Sequence, residues 1–146
     1  MAQGFVFKLQ SVLDYRGEQV QQAQQMLALE VGTLNNIQSR IDGIDSEIDQ
    51  VLSNVPETPD GFDLVTAENT QGYIFTLKKK RQMSLSELEQ QQRMVQRCQE
   101  QLKERVVAQK TLEKLKEKKE TEHQVRLDKI ESEQLEEVAL RQYQGF

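Results

Sequence analysis

Residue types that commonly carry out chemistry are sparse in this sequence, which has one cysteine, Cys98, and one histidine, His123. A single cysteine cannot form an intramolecular disulfide, and neither residue has a second cysteine or histidine nearby to complete a metal site. Cys98 lies close to an apolar stripe, where a small buried hydrophobe is a more common role than a reactive thiol. We interpret His123, in a polar stretch, as a solvated side chain rather than a metal ligand.

Sequence patterns typical of enzymes are also missing. There is no glycine-rich phosphate loop, no Ser/His/Asp or Cys/His set and no acid pair placed for a cleft. We therefore expect a protein that is not an enzyme and that has no cofactor or metal. Nucleic-acid binding is the least favoured of three functional hypotheses, because no aromatic residue lies between Phe75 and Tyr143 to stack on bases.

The chain between Gly72 and Gly145 contains neither glycine nor proline, which predicts one very long helix. At about 1.5 Å per residue this helix would be roughly 100 Å long, so we expect an elongated molecule. The composition, with 36% hydrophobic, 5% aromatic and 29% charged residues, fits long amphipathic helices better than a globular core.

A heptad pattern predicts how the first part of the chain packs. A period of 3.5 residues indicates a left-handed coiled coil. Each heptad has two core positions, and Arg16 and Glu30 occupy the second of them in their repeats. These two residues either direct their charges out of the seam or fix the register of the pairing. In the second case Arg16 would lie near Glu104, and Glu30 near Arg93. The aliphatic residues that recur every seven positions are Val6, Leu13, Val20, Leu27, Leu34, Ile41, Ile48 and Val55.

A chain reversal is predicted between Ser53 and Gly61, where two prolines and an Asp-Gly pair supply turn chemistry. The fold class is then all-α: two long helices form an antiparallel coiled-coil hairpin, a single unit over residues 1–146, and the second helix is longer than the first. We place helix 1 at about 5–55, the turn at 56–65 and helix 2 at about 66–143. Residues 1–60 hold three basic and nine acidic side chains, and residues 73–129 hold fifteen basic and nine acidic, which favours side-by-side pairing.

Aromatic residues gather near the predicted turn, at Phe62, Tyr73 and Phe75. They either pack over the end of the hairpin or form a protein-docking patch. The neighbouring run from Lys78 to Arg81 points all round a helix, so a solvated surface is a better interpretation than a nucleic-acid groove.

The second helix should extend beyond the first. Its seam continues through Leu88, Val95 and Leu102, and the repeat is broken near Gln109. Counting back from the turn ends the first helix opposite a position between Leu115 and Glu122. Residues 116–124 contain no apolar side chain, and beyond them an apolar set resumes without an intramolecular partner, which indicates either a partner protein or a frayed tail. That set is Val125, Leu127, Ile130, Leu135, Val138 and Tyr143.

Two terminal patterns resemble those of the FliJ family of type III export proteins. The first is Phe5-x-Phe7-x-Leu9-x-x-Val12-Leu13-x-x-Arg16, followed by a Gln/Ala-rich helix. The second is Leu112-Glu113-Lys114-Leu115-Lys116-Glu117-Lys118-Lys119, then Asp128 and Glu136-Glu137-Val138-Ala139. The resemblance spans essentially the whole chain and implies a two-helix antiparallel coiled coil, similar to the stalk subunit of rotary ATP synthases.

The resemblance also implies a function. Family members are thought to act as a non-enzymatic central stalk on the hexameric export ATPase FliI, to contact the export gate FlhA and to handle export chaperones. The implied location is cytoplasmic, at the inner face of the membrane through the export apparatus, without membrane insertion or nucleic acid. Residues implied to meet the ATPase are Phe5, Phe7, Leu9, Leu112, Leu115, Leu127, Ile130, Leu135 and Val138, and those implied to meet the gate are Tyr73 and Leu77.

Other possibilities stay open on the sequence alone. The alternative function is a generic cytoplasmic scaffold that homodimerises through the same apolar stripes. A flagellar and a virulence system are both compatible with the sequence. The oligomeric state of the isolated protein is also open, as is whether the extension after Leu115 is ordered without a partner.

Overall fold

The computed structural model describes residues 4–54 and 64–145. It contains two α-helices, α1 (Gln10–Ser53) and α2 (Leu64–Gln144), and no strand within the described residues. Contacts between the two helices are consistent with a hairpin, and the predicted all-α fold with a longer second helix is confirmed. The predicted turn lies largely outside the described residues, as do Val55, Pro56, Pro59 and Phe62.

α1 begins at Gln10, later than the pattern predicts. Residues 4–7 have no regular secondary structure, and the amide of Gln10 donates to the carbonyl of Phe7 at 3.1 Å. Phe7 is buried at 8% exposure, whereas Val6 is 81% exposed. The placement of Val6 as the first heptad core position was therefore wrong, because the heptad count applies only to helical residues.

The chain divides into two units. The terminal unit comprises the described residues within 1–22 and 103–146, and the middle unit comprises those within 23–102. In each unit a part of α1 packs against a part of α2, as the contacts below show.

The core of the middle unit follows the predicted heptads. Between residues 23 and 51, every predicted core position of α1 is buried or half-buried. Ile41 and Leu77 are each 2% exposed, and burying an aliphatic side chain to that extent contributes about 1.5–3 kcal/mol. The other buried side chains of this unit are Ala23, Ile37, Ser84, Val95 and Cys98.

Polar contacts join the two helices of the middle unit at its edges. Arg81 pairs with Asp45 at 2.6 Å, and Arg40 pairs with Glu87 at 2.9 Å. All four side chains are between 40% and 54% exposed, so each pair contributes no more than about 1 kcal/mol. Burial of the apolar seam therefore supplies most of the stability.

The polar core position Glu30 is satisfied by a glutamine. The side-chain amide of Gln91 donates to the carbonyl oxygen of Glu30 at 2.9 Å and also to its carboxylate. The alternative that placed Glu30 near Arg93 was wrong, because Gln91 lies on the seam and exposed Arg93 pairs with Glu89 on its own helix.

Arg16, the other polar core position, also forms a contact different from the one suggested. Its guanidinium donates to Gln19 on the same helix at 3.1 Å. In the terminal unit the α2 residue that contacts α1 here is Arg105, not Glu104. Its guanidinium donates to the backbone carbonyl of Gln19 at 3.1 Å.

The predicted break of the repeat near Gln109 does not interrupt α2. Gln109 is half-buried, and its amide nitrogen lies 3.4 Å from the point where a side chain at Gly17 would begin. This is an ordinary van der Waals distance, so the Gln109 side chain packs beside the backbone of α1 at Gly17. A residue that looks like an interruption in sequence thus fits into the seam.

Candidate partner-binding surfaces

The non-helical N-terminal segment lies along α2 in the terminal unit. The rings of Phe5 and His123 have centroids 5.7 Å apart and planes inclined at 47°. Phe5 and His123 also line a groove that extends to Leu127. His123 is half-buried, so its interpretation as a solvated side chain was wrong. That interpretation rested on the polar stretch around His123 and did not include the N-terminal segment, whose non-helical residues each cover up to about 3.3 Å.

Coverage of α2 ends later than predicted. The sequence count placed the end between Leu115 and Glu122, but the groove shared with Phe5 reaches Leu127. Every residue from 128 to 145 is exposed. We call this helical segment and its last residue, residues 128–145, the overhang.

The overhang has large apolar side chains on one side of the helix. Ile130, Leu135 and Val138 are 51%, 65% and 51% exposed. Val138 lies three turns beyond Leu127, so these residues continue the stripe that the N-terminal segment covers up to Leu127. We call Ile130, Leu135 and Val138 the overhang row.

The other side of the same helix is also apolar in places. Tyr143 is 82% exposed and Leu140 is 58% exposed. Val125 lies five turns before Tyr143 and is 60% exposed, so the two point in the same direction, away from the overhang row. Exposed apolar groups on opposite sides favour a partner that surrounds the helix.

The residues implied by the resemblance to meet the ATPase fall into two groups in the structure. One group packs within the terminal unit: Phe7 is buried, and Phe5, Leu112, Leu115 and Leu127 are half-buried. The other group is exposed and comprises Leu9 and the overhang row. Direct contact with a partner is thus available mainly to the second group, with the first supporting it.

The residues implied to meet the gate also separate. Leu77 is 2% exposed and belongs to the core of the middle unit. Tyr73 is 44% exposed, and its hydroxyl donates to the Glu47 carboxylate on α1. This hydrogen bond, followed by desolvation and the charge of Glu47, raises the pKa of the Tyr73 phenol above 10.0.

Three exposed residues lie near the start of α2: Phe75, which belongs to the aromatic group considered as a docking patch, and Leu64 and Val65, which were not singled out from the sequence. Phe75 is 65% exposed, Leu64 is 64% and Val65 is 63%. The ammonium of Lys79 lies 5.7 Å from the centroid of the Phe75 ring, within the range of a cation–π contact. Tyr73 is therefore tied to α1, whereas Phe75 presents its ring outward as a docking patch would.

Within the described ranges, neither helix has an apolar stretch of the length that crossing a lipid bilayer requires. The same residues contain no group of three or more histidine, cysteine or acidic side chains placed to hold a metal ion.

Comparison with known proteins relates nearly the whole chain to one family. A protein-family model with the description "Flagellar FliJ protein" matches residues 5–145. The curated proteins and the solved structures gave no match.

Proposed function

The chain belongs to the FliJ family of flagellar proteins, and we propose that it is a non-enzymatic central stalk of a flagellar protein-export ATPase. In this role it couples the ATPase hexamer to the export gate and to export chaperones. Family membership supports the broader role in flagellar export, and the exposed surfaces of the two units support the finer assignment.

The observation on which the proposal depends is the overhang. Its apolar side chains lie on opposite sides of one helix and are uncovered within the terminal unit. A stalk inserted in the central cavity of a hexamer would meet protein on every side. Fully burying a side chain such as Leu135 contributes about 1.5–3 kcal/mol, so several of them supply substantial binding energy.

The N-terminal segment, which lies next to the overhang, provides further surface for the proposed contact with the ATPase. Phe5 holds this segment against His123, and Leu9 remains 40% exposed. Both chain ends therefore contribute surface to the terminal unit, which fits the resemblance in placing both at the ATPase.

For the export gate, we assign the contact to the exposed start of α2. Phe75, Leu64 and Val65 offer apolar surface, and Tyr73 borders it. Leu77 contributes indirectly, by fixing α2 against α1 beneath these residues. Exposed aromatic side chains of this kind are frequent anchors in protein interfaces.

The test measures ATP hydrolysis by the cognate export ATPase with and without the purified full chain. We expect stimulation by the unaltered chain and at least a severalfold loss in the variant Leu135→Ser/Val138→Ser. The control, Leu29→Ser/Met83→Ser, alters two apolar residues that are 70% and 66% exposed outside the overhang, and it should stimulate normally. Absence of both binding and stimulation by a folded chain would refute the stalk.

The same variants address the homodimerising scaffold. Sedimentation of the isolated chain should show a monomer, because the stalk proposal leaves the overhang for the ATPase. A stable dimer that dissociates on introducing Leu135→Ser/Val138→Ser would instead favour the scaffold.

A further inference from the structure

The charge of α2 changes sign where its coverage by the N-terminal segment ends. Residues 103–127 hold eight basic and five acidic side chains, a net charge of +3. Residues 128–145 hold two basic and five acidic side chains, a net charge of −3. The uncovered part of the helix is therefore acidic as well as apolar.

Acidic groups border the overhang row directly. Glu131 lies four residues from both Leu127 and Leu135, and Glu137 lies seven residues after Ile130, so both carboxylates lie on the same face of the helix as the row. Arg141, three residues after Val138, is the basic residue of the overhang on this face. Neither carboxylate forms an ion pair with a described residue. This face of the overhang thus combines exposed apolar side chains with mainly acidic charges and is not covered within the terminal unit.

The molecule already shows what such a surface pairs with. α1 holds seven acidic and two basic side chains, and its acidic groups accept from donors on α2. Asp45 accepts from Arg81, and Glu47 accepts from Tyr73. An apolar row with acidic flanks is covered in this fold by an apolar row whose flanks are basic or donate hydrogen bonds.

We infer that the overhang binds a protein surface made of an apolar groove bordered by Lys or Arg side chains. The inference rests on the proposed function in using the same surface, and it adds the chemistry of the partner. A second overhang fits poorly, because two segments of net charge −3 repel each other. Nucleic acid and anionic lipid are disfavoured by the same repulsion.

The test uses the full chain and two synthetic helical peptides with identical leucine seams, one flanked by lysine and the other by glutamate. Binding of each labelled peptide is followed by fluorescence anisotropy at low and high salt. We expect the lysine peptide to bind at least about tenfold more tightly than the glutamate peptide at low salt, with the difference shrinking as salt rises.

Two charge-reversal variants locate the effect. Glu131→Lys/Glu137→Lys should abolish or invert the preference for the lysine peptide. The control Glu100→Lys/Glu104→Lys changes the net charge equally at exposed positions outside the overhang and should keep the preference. Equal binding of the two peptides, no binding of the lysine peptide, or equal loss in the control would overturn the inference.

The outcome is separable from that of the stalk proposal. A preference for the lysine peptide without ATPase stimulation would support the acidic docking surface and refute the stalk. Stimulation by the unaltered chain without that preference would support the stalk and overturn the inference.

Discussion

Phe5 and His123 lie in ring contact, with 5.7 Å between their centroids, although one residue precedes α1 and the other is deep within α2. This contact fixes the non-helical N-terminal segment in place. It also marks where the covered part of α2 approaches its end.

Replacing Phe5 by alanine should lower the free energy of unfolding by about 1 kcal/mol, because an aromatic pair and part of a half-buried ring are lost. Val6→Ala is the matched control, since Val6 is 81% exposed, and its effect should stay within about 0.5 kcal/mol. Urea unfolding followed by circular dichroism measures both. Equal effects of the two substitutions would contradict the contact.

Leu77→Ala should be much more disruptive, with a loss of about 2–5 kcal/mol, because Leu77 is 2% exposed and its truncation leaves a cavity. Phe75→Ala, two residues away and 65% exposed, should leave the unfolding free energy within about 0.5 kcal/mol while weakening gate binding. Thermal unfolding and a pull-down with the purified gate domain separate the two roles. A stable Leu77→Ala variant would show that this residue is outside the core.

Gly32→Ala and Gly43→Ala should each stabilise the protein by about 0.4–1 kcal/mol. A side chain at either position meets nothing within 4 Å, and alanine favours the helix. Gly17→Ala should gain a similar amount, because the new methyl group would meet the Gln109 side-chain nitrogen at 3.4 Å, an ordinary van der Waals contact. Unfolding midpoints of the three variants measure these gains, and a loss of stability in Gly17→Ala would show that the space beside Gln109 does not accept a methyl group.

Tyr73 should titrate at a higher pH than an ordinary tyrosine. Its protonated hydroxyl donates to Glu47, which raises the pKa above 10.0. The stabilisation from this bond is present below pH 10.0 and is lost as the pH rises through the raised pKa. The tyrosinate absorbance of the unaltered chain minus that of Tyr73→Phe isolates this residue, and Glu47→Gln should lower its midpoint. Glu47→Ala removes both the acceptor and the charge, and an unchanged midpoint in that variant would rule out Glu47 as the cause.

Sequence periodicity was sufficient to predict the seam of α1 from Leu13 to Val51, because each core position repeats inside a regular helix. The same reasoning failed at Val6, where the chain is not helical and Phe7 is buried instead. The interpretation of His123 as solvated, made from the polar stretch around it, failed for a different reason: its burial depends on how far the N-terminal segment reaches. Periodicity gives the face of a helix but not the path of a segment outside it.

The sequence predicted that acidic residues of α1 would pair with basic residues of α2, but it did not predict which residues would be partners. The acidic α1 and basic α2 do pair, through contacts such as Arg81 with Asp45. The partner of Glu30 is the neutral Gln91, which a search for opposite charges overlooks. Family membership followed from the two terminal patterns, whereas the separation of Leu77 from Phe75 needed side-chain burial that the residue types alone do not give.

The length of the non-helical N-terminal segment also determines how many residues of α2 are covered. Each of its residues spans up to about 3.3 Å, against about 1.5 Å for a helical residue, so removing one residue before Gln10 would uncover up to about two more residues of α2. Small insertions or deletions between Gly4 and Leu9 could therefore tune how much helix is offered to a partner, without any change in α2 itself.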